Sequence, residues 1–191
     1  MICDWITPGS RILDLGCGDG QLLAYLSNTR NVCGYGLEID PANVSACIEA
    51  GVNVIQADLN QGLADFEDDS FDAVVMTQAL QALDRPDQVL AEMLRVGRQA
   101  VVTFPNFGHW RARLALGAGH MPVTPALPHR WYNTPNIHLC TVRDFEALCR
   151  ARHWRIARRA LLNRARREGP LIRRLPNLLC EIGLYKLERE T

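Results

Sequence analysis

Three carboxylates and three closely spaced glycines, all within the first 60 residues, have the types and spacing to hold a small polar ligand. Ile12, Leu13 and Leu15 form a short apolar run with Asp14 near its end. A G-x-G-x-G turn follows at Gly16, Gly18 and Gly20, and QLLAYL then reads as an amphipathic helix. Strand, glycine turn and helix together open a nucleotide-binding α/β unit. Glycine lets the backbone turn sharply and lets a ligand come close. The helix N-terminus offers backbone N–H groups that have no partner within the helix.

The charge around this turn selects the ligand. Dinucleotide sites use G-x-G-x-x-G and place a pyrophosphate at the helix N-terminus. Here the third glycine comes one residue early, and Asp14 and Asp19 would repel a pyrophosphate. They suit a cation. S-adenosylmethionine carries an ammonium and a sulfonium, so Asp14 facing its methionine end is the better match; Asp19 is equally explained as a helix N-terminal acid. Glu38 closes the next apolar run, about 20 residues after the glycines, where a ribose-binding acid is expected to accept from both ribose hydroxyls. Asp58 ends a third run and can receive an adenine amino group, with Leu59 against the ring. Cys17, inside the turn, reads as packing rather than as a nucleophile.

These residues need a sheet to position them. Strands are predicted at residues 11–15, 33–39, 52–57, 71–76 and 100–104. Helices are predicted at 19–29, at 42–50 with Pro41 in its first turn, and from 86 to a stop at Gly97. Repeated β-α units imply a parallel sheet with right-handed crossovers. The rhythm then changes: residues 107–116 look helical, 117–140 form a long proline-rich loop, and Thr141 caps a helix through Arg150. Residues 154–161 and 178–187 are expected to pair antiparallel, joined by an arginine-rich loop.

Composition sets the outer bounds. The 191 residues are 48% hydrophobic and 22% charged, with zero formal net charge, as expected of one domain over 1–191 with a real core. No transmembrane run and no signal-peptide pattern is present at the N-terminus, so a cytoplasmic protein is expected. Seven cysteines without a C-x-x-C pair point to reduced thiols, and neither cysteines nor histidines show metal-ligand spacing. The arginines of residues 143–174 lack interleaved aromatics, which disfavours nucleic-acid binding.

The motifs DLGCGDG, GLEID, QADL and FDAVV resemble those of class I S-adenosylmethionine-dependent methyltransferases. The segments LQALDRPDQVLAEMLRVGRQAVVTFPNFGHWRAR, MPVTPALPHRWYNTPNIHLCTVRDFEALCR and LPNLLCEI are similar to the MetW family of bacterial methionine biosynthesis proteins. The resemblance covers essentially the whole chain. It implies a Rossmann-like α/β fold: a mostly parallel seven-stranded sheet with helices on both faces and an antiparallel edge hairpin. It also implies S-adenosylmethionine or S-adenosylhomocysteine as cofactor, with Asp14, Gly16, Cys17, Gly18, Glu38, Ile39, Asp58, Leu59 and Gln78 at the cofactor site. A homoserine O-acyltransferase is the implied partner. Two readings follow, an accessory or regulatory subunit for homoserine acylation and a methyltransferase on a small acceptor. Methyl transfer chiefly requires alignment, and a base only if the acceptor must lose a proton. Candidates for that base are His109, Tyr132 and His138, with Arg111, Arg113 and Arg130 as holders of an acidic substrate. The lead-in, residues 1–6, is too short to supply the covering helix that many methyltransferases carry.

Overall fold

The computed structural model describes residues 1–190. A seven-stranded sheet runs through it in the order β3-β2-β1-β4-β5-β7-β6. The strands are β1 (Arg11–Leu15), β2 (Cys33–Glu38), β3 (Val54–Gln56), β4 (Ala73–Thr77), β5 (Ala100–Pro105), β6 (Trp154–Leu162) and β7 (Ile182–Arg189). The first five pair in parallel, and β7 pairs antiparallel with both β5 and β6. The chain starts in the middle of the sheet, builds outward through β2 and β3, and then returns to lay β4 against the free side of β1. That reversal makes a topological switch point at the C-terminal ends of β1 and β4, the place where ligands of open α/β sheets bind.

Alternation along the strands builds two cores. Leu13, Leu15, Val74, Met76, Val102 and Phe104 face α4 (Pro86–Val96) and α6 (Val142–Ala151). Ile12, Val75, Val101 and Leu184 face α1 (Ile2–Trp5) and α2 (Gln21–Arg30). The α4 stripe of Val89, Leu90, Met93 and Leu94 is buried as its periodicity predicts. Thr141 caps α6 in a reciprocal capping box with Asp144.

Several boundaries differ from the sequence reading. Helix α2 starts at Gln21 rather than Asp19, because Gly20 is left-handed at φ +77°. Helix α3 spans Pro41–Glu49 behind an Asp40 cap, and β3 is only three residues long. Residues 178 and 179 are helical: α7 (Pro170–Arg174) and α8 (Pro176–Leu179) interrupt the arginine-rich connection, each opened by a proline at its first position. The last strand therefore begins at Ile182. The helix after β5 is α5 (Trp110–Gly117), shorter than expected at its start. The lead-in folds into the single turn α1, and Ile6 behind it is buried in the core on that face.

Candidate functional site

The glycine turn rests on the end of β2. Gly16 and Cys17 N–H groups both donate to the Leu37 carbonyl, at 2.8 and 3.1 Å. Gly16 and Gly18 have φ of +68° and +57°, a region that L side chains rarely adopt. Gly36, across from the turn, is glycine for a different reason: a Cβ there would lie 2.3 Å from Cys17 Sγ.

Glu38 holds the turn from the other side. Its Oε2 accepts from Gly18 N–H at 2.8 Å, and its Oε1 from the Ile39 and Asp40 N–H groups at 2.9 Å each. The side chain is almost fully buried. A carboxylate has about four acceptor positions, so three backbone donors leave one strong acceptor position, on Oε2.

Asp14 is the anomaly. It is 1% exposed, and its Oδ1 has no hydrogen-bond partner among the described residues. Burial, reinforced by the nearby Glu38 carboxylate, pushes its pKa up to about 7. A buried, unpartnered carboxylate oxygen is costly, and it is the feature that a donor-bearing cation would relieve.

The other candidates sort by position. Asp58 caps the short turn Leu59–Gln61, accepting from Asn60 N–H at 2.9 Å. Leu59 and Ala79 stand next to Gly16, where they would meet an added Cβ at 3.9 and 3.2 Å. Gln78 follows β4 with φ +56°, and its N–H is shared between the Thr103 carbonyl at 3.2 Å and hydroxyl at 3.0 Å. Ile39 is exposed beside Glu38. The structure therefore gathers Asp14, Gly16, Cys17, Gly18, Glu38, Ile39, Leu59 and Gln78 around the ends of β1, β2 and β4. Cys17 packs inward, its Sγ 3.7 Å from Cys47 Sγ, and burial pushes its thiol pKa upward.

The candidate bases have partners of their own, and His138 is tied to Gln78 through Gln81. His109 caps α5, its Nδ1 accepting from Arg111 N–H at 3.4 Å, with Glu181 3.8 Å from Nε2. Burial lowers its pKa, favouring neutral imidazole. Tyr132 is exposed and bound to Arg130 at 3.2 Å. His138 contacts the Asp84 carbonyl at 3.1 Å and lines a 160 Å³ apolar cavity with Leu90, Phe104 and Phe145, among the core side chains on the α4 and α6 face. Arg111 sits over Trp110, Arg113 donates to the Gly108 carbonyl and Arg130 to the Tyr132 hydroxyl, so each of the three arginines has a local partner.

Two residues carry structural weight that sequence reading missed. Thr103 fixes Gln78. Buried Asn106 ties the post-β5 segment together, donating to the Asn177 and Cys180 carbonyls and accepting from Gly108 and Val142 N–H. Both act across 25 or more residues, so no local spacing reveals them.

With this geometry in place, similarity to known proteins becomes informative. Residues 1–187 match the family described as methionine biosynthesis protein MetW. The chain belongs to the MetW family. A relative, the bifunctional methionine biosynthesis protein MetXA/MetW of Rhodopirellula baltica, is 40% identical over 157 residues, covering 77% of this chain and 25% of that protein. The MetW-family chain thus spans about a quarter of that relative's length. Among solved structures, a possible histamine N-methyltransferase of Thermotoga maritima superposes with TM-score 0.68 at 15% identity, over 98% of this chain and 86% of that one. The cyclase SpnF superposes equally well, TM-score 0.68 at 18% identity, over 100% of this chain and 81% of that one. Likenesses of this degree establish the Rossmann-like methyltransferase fold. That a cyclase shares it shows how little the fold fixes the chemistry. No helix among the described residues is long and apolar enough to cross a membrane.

Proposed function

We propose that the chain binds S-adenosylmethionine at the ends of β1, β2 and β4 and acts in methionine biosynthesis as an accessory or regulatory partner of a homoserine O-acyltransferase. The observation that carries the binding half is Asp14: a buried carboxylate oxygen without a partner, beside a glycine turn open to close approach. Asp14 would hold the ammonium of the methionine end, Glu38 Oε2 one ribose hydroxyl, and Asp58 the adenine amino group, with Leu59 and Ile39 offering apolar contact. The group so held supplies an activated methyl and a fixed positive charge. The glycine turn and Glu38 are already tied together by backbone bonds, so little order is lost on binding.

The partner half is supported by family membership and by the relative whose name joins MetXA and MetW in one chain. As a downstream product of the pathway, S-adenosylmethionine can act as a signal only if it binds two states of the pair differently. The test is homoserine acyltransferase activity of the matching purified enzyme, with and without this protein, each with and without S-adenosylmethionine. Stimulation by the protein, modulated by the ligand, is expected. Unchanged activity in all four conditions removes the partner role, and no calorimetric binding at millimolar S-adenosylmethionine removes the cofactor role.

A second reading, methyl transfer to a small acceptor, is favoured by one observation. Gln78, beside the glycine turn, also borders a 670 Å³ cavity on the α1 and α2 face. This reading predicts accumulation of S-adenosylhomocysteine when the acceptor is supplied.

A further inference from the structure

The 670 Å³ cavity has a chemical character that the cofactor site does not explain. Its walls are largely apolar: Ile2 from α1, Leu22 from α2, Leu162 from the end of β6, and Ile182 and Leu184 from the start of β7. Gln21, Gln78 and Thr103 add neutral polar atoms at one side. Its volume lies within the range of about 300–1,000 Å³ typical of small-ligand pockets. Among the described residues no aspartate or glutamate lines it; Arg166 is its charged side chain, and the amino terminus of Met1, also in the lining, is paired with Asp4 at 3.2 Å.

Arg166 is placed there by a closed turn in the β6–α7 connection. Asn163 Oδ1 accepts from Ala165 and Arg167 N–H at 2.9 and 3.0 Å, and Arg166 N–H donates to the Asn163 carbonyl at 2.8 Å. Asn163 N–H closes the turn on the Arg167 carbonyl at 3.1 Å. Arg166 itself sits at φ +55°. Glu168, the carboxylate next to the turn, is committed to Arg173 at 2.7 Å and to Leu161 N–H at 3.2 Å. Arg164, Arg166 and Arg167 consequently form no ion pair among the described residues. The apolar cavity thus has in its lining one arginine, Arg166, without an ion-pair partner among the described residues, and such a charge attracts anions and repels cations.

We propose that this cavity binds a small amphiphilic monoanion, its apolar body against Leu162, Ile182 and Leu184 and its carboxylate on Arg166. One guanidinium matches one negative charge, in the paired geometry that arginine and carboxylate favour. The site is separate from the residues assigned to the cofactor except at Gln78, and the proposal does not rest on cofactor binding.

Decanoate is the probe, with 1-decanol as its uncharged counterpart, titrated by calorimetry into the whole chain. Decanoate is expected to bind about tenfold tighter than decanol, the size of one solvent-facing charge-assisted contact. Arg166→Gln should bring decanoate down to the level of decanol, while Arg164→Gln, in the same turn, should retain most of the difference. Ile182→Trp, which fills the cavity, should weaken both probes together, with its fold checked by circular dichroism. Equal affinities for the two probes in the wild type overturn the proposal. So does decanoate binding that survives either Arg166→Gln or Ile182→Trp, and so does no binding at low millimolar decanoate. Repeating the titration with and without S-adenosylhomocysteine separates the two proposals: failure of that ligand to bind leaves the decanoate result standing, and the reverse also holds.

Discussion

The glycine-turn region, residues 14–40, and the segment after β5, residues 106–140, are built in opposite ways. In the first, the functional groups are buried and tied to backbone: Glu38 by three N–H groups, Gly16 and Cys17 by one carbonyl. Its one loose end is Asp14 Oδ1. In the second, large side chains lie open. Trp131, Tyr132 and Ile137 are exposed, and its arginines bond to their neighbours. The difference separates a region whose polar groups are preorganised from one whose large side chains lie open. The first region is held in place by its own backbone bonds. The second offers mostly open surface around its candidate bases His109 and Tyr132, with His138 at the edge of a small apolar cavity.

The comparison is tested most severely at Asp14. Asp14→Asn keeps the shape and removes the charge, so affinity for S-adenosylmethionine should fall at least about a hundredfold, the size of a lost buried charge contact. Stability should move the other way. The folded-state pKa of about 7 lies above the ordinary 3.8, so the folded protein holds its proton more tightly than the unfolded chain. The stability linked to that proton is fully present below about pH 4 and is lost as pH rises through 7. Three units correspond to about 4 kcal/mol, of which an asparagine that still lacks a partner should recover about 2 kcal/mol. Thermal melts of the unliganded variant and wild type should coincide near pH 5 and separate by pH 8, the variant melting higher. Cofactor affinity of the wild type should fall as pH drops below 7. Equal affinity in the variant would remove Asp14 from the site and erase the contrast between the regions.

Much of this was legible in the sequence because it is local. The order strand, glycine turn, helix lies within 20 residues, and Glu38 is fixed by a spacing that the βαβ unit imposes. The edge hairpin was legible as a pattern, but its second strand was placed too early. Leu178 and Leu179 are apolar in either setting, and a proline two residues before them starts a helical turn. The backbone bonds to Glu38 were not legible, since sequence does not show which N–H groups reach it. Thr103 and Asn106 escaped for the same reason. The lead-in is a single helical turn, and together with the sheet it lines a cavity that its sequence did not announce.

A smaller effect probes how tightly the first region is packed. Gly36→Ala would set a Cβ 2.3 Å from Cys17 Sγ and 2.9 Å from its Cβ. The glycine turn must shift outward, at a cost of about 2 kcal/mol for overpacking, with cofactor affinity weakened about tenfold. Adding Cys17→Ala removes the closer clash and leaves the 2.9 Å contact, so about half of the melting temperature loss should return. Full tolerance of Gly36→Ala would mean that the turn is loose, and that the first region resembles the second after all.

Within the second region, His109 should behave as a cap. His109→Ala removes the Nδ1 acceptor at the start of α5 and should cost about 1 kcal/mol. Affinity for S-adenosylmethionine should stay within twofold by calorimetry. A large loss of affinity would link α5 to the glycine turn, a connection absent from its hydrogen bonds.

The smallest expected effect is also informative. Tyr132→Phe deletes only a hydroxyl that meets Arg130 at an exposed position. Exposed polar pairs contribute little, so the melting temperature should change by no more than about 0.5 kcal/mol of stability would produce. Ligand affinity should be unchanged, since the hydroxyl's hydrogen bond runs to Arg130 and to none of the residues proposed to hold the ligand. If an acceptor is found and Tyr132→Phe lowers its turnover without altering S-adenosylmethionine affinity, the loop must close over the site during the reaction, and exposure in the unliganded chain becomes the open half of a cycle. If turnover is unchanged as well, the exposed Trp131–Tyr132 pair has no part in the chemistry. Such rings then suit contact with another macromolecule better than contact with a small ligand.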